Sequence, residues 1–223
     1  IGNWDGGMPA DGDDVVIPSG TPFAPAIPAG TNPVSGAYAS FTVSNGVTVT
    51  CLGDSTAVNE PSGGTVAKPH GIGVTIFAAA ATIDGTLSAF GKGFPAGAGP
   101  GNGYDGAAHG GKGGNLASPV YGSLTQPTAL GSGSVAPSTA RRGGGAIRLV
   151  IGGTLSLNGT IDASSANDDR CGAGGSVWLS ASTFSGSGVI KAEGGCNQIN
   201  NFPGGGGRVA LEYTNSTFTG SIS

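Results

Sequence analysis

Charge is scarce in this chain. Asp, Glu, Lys and Arg together make up 10% of its 223 residues, against about 25% in an average globular protein. The net charge is −4, and Arg141 and Arg142 form the one adjacent basic pair. Phosphate binding needs clustered cations, so nucleic acid is not expected as a partner. No apolar run reaches the length of about 18 residues that a membrane span needs. No signal peptide is recognisable, and Ile1 implies a processed, truncated or mature chain. Leucine-rich amphipathic runs are also missing, so almost no helix is expected.

Chemistry-bearing residues are equally thin. The two histidines are His70 and His109. Asp105 lies four residues before His109, but a glycine loop fixes no geometry between them, and no G-x-S-x-G elbow is present. Lys112 precedes Gly113 with no helix after it, which does not make a Walker loop. Few acids project from the strands: Asp162 and Glu212, with Glu193 beside one. They form no pair flanking a cleft, as glycoside cleavage requires. Asp11, Asp13 and Asp14 sit close together, but their spacing is not that of an EF-hand loop. No C-x-x-C spacing suggests zinc. We expect no enzyme, no metal and no cofactor.

What the chain does have is repetition. It carries 46 glycines, enough for low-complexity disorder, but regular Val/Ile/Leu alternation opposes that reading. One pattern recurs from Ile147 to Ser223. Each copy opens on glycines and a short apolar strand: GGGAIRLVI from Gly143, GGSVWL from Gly174 and GGGGRVAL from Gly204. A Ser/Thr-rich middle follows. Each copy closes on a glycine and a second short strand, at Gly159, Gly188 and Gly220. An earlier copy spans residues 74–89. One spacing separates Val74 from Gly85, Val177 from Gly188 and Val209 from Gly220; Ile147 to Gly159 is one residue longer.

Within the copies the alternation has period two. Val74, Ile76, Ile147, Leu149, Ile151, Val177, Leu179, Val209 and Leu211 share one face, with Thr75, Arg148, Trp178 and Ala210 on the other. Leu87, Ile161, Ile190 and Ile222 point inward from the closing strands. Half-buried strands read this way. One unit cannot bury its apolar face alone, whereas stacked units share a continuous core. The pattern therefore predicts an all-β fold: a parallel β-solenoid, right-handed by the usual crossover rule. It is expected to form a single elongated domain over residues 1–223. Residues 1–38 are an extended or capping segment, and residues 39–223 are rungs. Asp162 and Lys191 should be neighbours on adjacent outer rungs, and Arg148 should lie on the face of Trp178.

The excursions, residues 90–146, 164–176 and 193–208, leave at one point of successive rungs. They map to one edge, the candidate working surface. In the long insert, glycine at every second or third position lets extended segments pack closely, because no Cβ intervenes. Tyr104, His109 and Tyr121 either project from this insert or pack it onto the solenoid. With Trp178 and Arg148 they are the candidate surface contacts. Cys171 and Cys196 occupy near-equivalent places in consecutive excursions, so a disulfide between them is expected, with an oxidising, extracellular setting. Cys51 is left over as a small buried hydrophobe. Asn158 and Asn215 head the sequons NGT and NST and are candidate glycosylation sites.

Trp4 anchors the turn-rich start, ahead of a strand beginning at Asp14. Pro22, Pro25, Pro28 and Pro33 mark an extended edge segment. Asn45-Gly46 marks a tight turn between two short strands, and residues 39–50 read as the first clear rung.

The phrases GGGAI from Gly143, GGSVWL from Gly174, NGTIDA from Asn158 and GGGGRVA from Gly204 resemble the glycine-rich repeats of large secreted bacterial surface proteins. These are of adhesin and filamentous-haemagglutinin-like type. The opening, with Trp4 and then DDVVIPSG from Asp13, resembles the lead-in of such surface β-helices. The resemblance spans about two-thirds of the chain, and its motifs specify architecture more than activity. It implies export to the cell surface, a solenoid fold and a role in adhesion or an extracellular matrix. This chain is shorter and shows no anchor.

The last residues lie inside a closing strand with no cap, so a longer solenoid or a neighbouring copy is expected to cover that end. The leading expectation is an extracellular structural protein that self-associates head-to-tail into a surface filament or adhesive matrix. The alternative is a carbohydrate-binding or polysaccharide-cleaving β-helix module, with glycan as partner.

Overall fold

The computed structural model describes residues 8–57, 70–114, 118–135, 142–166, 172–195 and 202–223. Among them the chain is all-β. The first sheet has seven strands: β1 (Asp14–Ile17), β3 (Gly30–Asn32), β4 (Tyr38–Val43), β6 (Val74–Ile83), β8 (Ala146–Leu157), β10 (Ser176–Ser185) and β12 (Arg208–Ser216). The second has six: β2 (Ala26–Ile27), β5 (Thr48–Cys51), β7 (Thr86–Ser88), β9 (Thr160–Asp162), β11 (Val189–Lys191) and β13 (Ser221–Ile222). Every ladder between these strands is parallel, and from β4 onward the chain alternates between the sheets rung by rung. This is the architecture of a parallel β-solenoid.

The alternation explains the core. Val74, Ile147, Val177 and Val209 are in register, as are Leu87, Ile161, Ile190 and Ile222. Ile83, Leu87, Leu157, Ile161 and Ile190 are completely buried. Each apolar residue thus packs on its counterparts above and below, contributing about 1.5–3 kcal/mol of transfer free energy when fully buried. Asp162 pairs with Lys191 in the outward row.

The one-residue excess in the repeat beginning at Ile147 is a β-bulge. Between the pairs Ala181–Ile151 and Thr183–Thr154, Gly152 and Gly153 stand opposite Ser182 alone. The Ser182 hydroxyl donates to the Gly152 carbonyl at 2.6 Å. The bulge absorbs the extra residue, so inward residues on both sides keep their face.

Rungs begin before residue 39. β1 pairs with β4, β2 with β5, and β3 with the start of β6. The proline-rich segment takes part because Ala26 and Ile27, between Pro25 and Pro28, supply the paired residues. Proline excludes ladder positions only where its missing N–H is needed. The Asn45-Gly46 turn is present, with Gly46 at φ 78°. It joins strands of different sheets, so it is a corner of the solenoid rather than a hairpin. Trp4 lies outside the described residues.

Residues 90–114, 118–135 and 142–145 contain no regular strand and build a second layer from glycine backbone. Gly93 N–H donates to the Gly143 carbonyl, Gly131 to Gly144, Gly144 to Ala173, Gly174 to Gly205 and Gly205 to Ala107, all within 2.8–3.0 Å. A Cβ on Gly143 would fall 1.9 Å from the Gly131 carbonyl oxygen, and one on Gly205 2.0 Å from that of Gly111. Only glycine permits these approaches. Phe94, Leu130 and Ala146 form a small buried cluster between this layer and the solenoid.

Candidate functional surface

All excursions leave between a second-sheet strand and the next first-sheet strand. They therefore share one edge. The same register that stacks the core also stacks the outward residues. Trp178 pairs with Arg148, whose guanidinium lies 3.9 Å from the indole centroid and 5.7 Å from the Phe77 ring. Burial lowers the Arg148 pKa, with the Glu212 carboxylate acting in the opposite direction. Trp178 is only 7% exposed. Two residues earlier on the same strand, the Ser176 hydroxyl donates to the Ala129 carbonyl of the insert at 2.6 Å. The pair clamps successive rungs together, with Trp178 buried and Arg148 partly exposed.

The three insert residues separate. Tyr104 is exposed. His109 is completely buried, with Nδ1 2.7 Å from the Gly174 carbonyl oxygen. Tyr121 is half-buried, its hydroxyl bonded to the Leu130 carbonyl and to Ser132 Oγ. Its ring lies 4.7 Å from that of His109 and 5.5 Å from that of His70. Burial raises the Tyr121 pKa and pushes that of His109 down to about 4. His109 and Tyr121 thus pack the insert onto the solenoid.

Sequence reasoning missed Arg208, whose Nε donates to the Tyr121 carbonyl at 2.9 Å. The repeats carried a usable signal. Ala146, Ser176 and Arg208 are equivalent first residues of their strands, and a charge there is out of pattern. Ser132 was also missed; it joins Tyr121 to Gly101 through its hydroxyl.

Asn158 is exposed at the β8–β9 corner, and its amide donates to Asp84 at 2.8 Å. Asn215 is exposed on β12. Cys171 and Cys196 lie outside the described residues. Cys51 is buried, and burial pushes its thiol up to about 12. The N-terminal aspartates serve as acceptors within the fold: Asp11 for Ala37 N–H, Asp13 for Ala10 N–H and Asp14 for the Ser40 hydroxyl. Among the described residues no three His, Cys, Asp or Glu side chains gather as a metal site, and no helix is long and apolar enough to cross a membrane.

The two ends of the stack differ. At the β1 end the inward Val15 and Ile17 are buried. At the other end Val209, Leu211 and Phe218 are only partly buried, and Tyr213 and Ile222 are 53% and 50% exposed. Their counterparts one rung earlier, Val177, Leu179 and Ile190, are buried.

No protein-family model, curated protein or solved structure matches this chain.

Proposed function

We propose that this protein is an extracellular structural β-solenoid, of the adhesin or filamentous-haemagglutinin-like kind, that self-associates through its stack ends into a surface filament or adhesive matrix. One observation carries the reading: β12 and β13 are the edge strands of their sheets, and their inward Val209, Leu211 and Ile222 are less buried than their counterparts one rung earlier. Both sheets run in the same order, with β1 and β2 at one end and β12 and β13 at the other. A second copy translated along the stack would therefore bring parallel edges together in both sheets. Such a head-to-tail contact repeats without closing.

Size-exclusion chromatography with light scattering and negative-stain microscopy test this at neutral pH. Wild type should form concentration-dependent linear assemblies, and Leu211→Asp should be monomeric while keeping its far-ultraviolet spectrum. Wild-type monomers at every concentration would end the filament reading. If those monomers bound or cleaved a glycan, the carbohydrate-module alternative would replace it.

A further inference from the structure

His109 is placed where a proton would be unwelcome. Its Nδ1 lies 2.7 Å from a carbonyl oxygen, which can only accept, so Nδ1 carries the hydrogen. Its Nε2 is buried with no hydrogen-bond partner. That atom and Arg208 Nε border the same space beside Gly122: a Cβ there would lie 3.2 Å from one and 3.6 Å from the other. The titratable and charged groups around the imidazole are Arg208 at the start of β12, His70 ahead of β6 and Tyr121 within the insert. Among the described residues no carboxylate acts on the imidazole. A second proton would go to Nε2, without an acceptor and beside a guanidinium.

The same residues hold the insert to the last rung. Gly110 and Gly111 N–H groups donate to the Gly206 carbonyl, and Arg208 Nε donates to the Tyr121 carbonyl. His109 itself ties the insert to the Gly174 carbonyl ahead of β10. We propose that His109 is an acid-sensitive latch: neutral, it closes the glycine-rich insert over the starts of β10 and β12, and protonated, it releases them. One solvent proton is taken up at Nε2 as the imidazole reaches water. This reading goes beyond self-association and stands whether or not copies stack.

The experiment is hydrogen exchange of the full chain, followed by mass spectrometry and corrected for the intrinsic pH dependence of amide exchange. His109 would titrate near 6.5 when released and near 4 when closed. Opening of peptides spanning residues 107–114 and 204–208 should therefore rise roughly thirtyfold between about pH 7.5 and about pH 5. His109→Gln, whose amide can still donate to Gly174, should abolish most of that rise. A rise below threefold in wild type, or an equal rise in the variant, would overturn the latch. Should the variant misfold, ring-resonance titration of wild type decides alone. With two histidines in the chain, a His109 midpoint below about pH 5 supports the proposal, and one near 6.5 refutes it.

Discussion

Replacing Gly144 with alanine should destabilise the protein far more than replacing Gly206, although both sit in glycine runs that look alike in the sequence. A Cβ on Gly144 would fall 1.9 Å from the Ala163 carbonyl oxygen and 2.6 Å from Gly175 N. Both are backbone atoms of neighbouring rungs and cannot swing aside. Relief requires a shift on the order of 1 Å, and overpacking of this kind costs about 1–3 kcal/mol. The shift also strains two hydrogen bonds, Gly131 N–H to the Gly144 carbonyl at 2.8 Å and Gly144 N–H to the Ala173 carbonyl at 2.9 Å. Each contributes about 1 kcal/mol net. Gly144→Ala should therefore lose about 3–5 kcal/mol. At Gly206 nothing lies within 4 Å of the added methyl. Gly206→Ala should change stability little, or raise it by about 0.5 kcal/mol through lower unfolded-chain entropy. Urea denaturation of both variants at neutral pH reads the difference. Equal losses, or a tolerated Gly144→Ala, would refute the close-packed glycine layer.

Other consequences are as direct. Ile161→Ala empties a fully buried site shared by Leu87 and Ile190 and should cost about 2–5 kcal/mol in denaturant titrations. Arg148→Met keeps the aliphatic cover on Trp178 but removes the cation, so a loss of about 1 kcal/mol and a shift in indole emission are expected. Cys51 should resist alkylation in the folded chain, because its thiol is buried with its pKa pushed up to about 12; peptide mapping after native labelling checks this. For His109 the folded pKa of about 4 lies below the ordinary 6.5, so the unfolded chain takes up the proton first. Stability is full above about pH 6.5, and about 3 kcal/mol is lost as pH falls to about 4; denaturation across that range should show it.

The rungs were legible because burial writes itself as period two. Ile161 against Ile190, Asp162 against Lys191 and Arg148 against Trp178 all follow once the repeats are aligned. The strand at Asp14 was legible but not as a rung, because its companion in the second sheet is Ala26 and Ile27 among prolines, two residues too few to set a pattern. The glycine layer was foreseeable only as close packing. A residue without a side chain leaves no mark of which backbone it faces, so the link from Gly131 through Gly144 to Ala173 could not be read. For His109 both projection and packing onto the solenoid were open, because a glycine-rich loop fixes no geometry in the sequence. Its burial comes from Tyr121 and from Gly174, far along the chain.

Methyl-selective nuclear Overhauser spectroscopy reaches the central claim most directly. With Ile and Leu methyls labelled, Leu87 should show cross-peaks to Ile161, and Ile161 to Ile190, tracing one column through three successive layers. Silence between Ile161 and Ile190, together with short Hα–Hα contacts of the antiparallel type linking β9 to a sequence neighbour, would contradict the parallel stack.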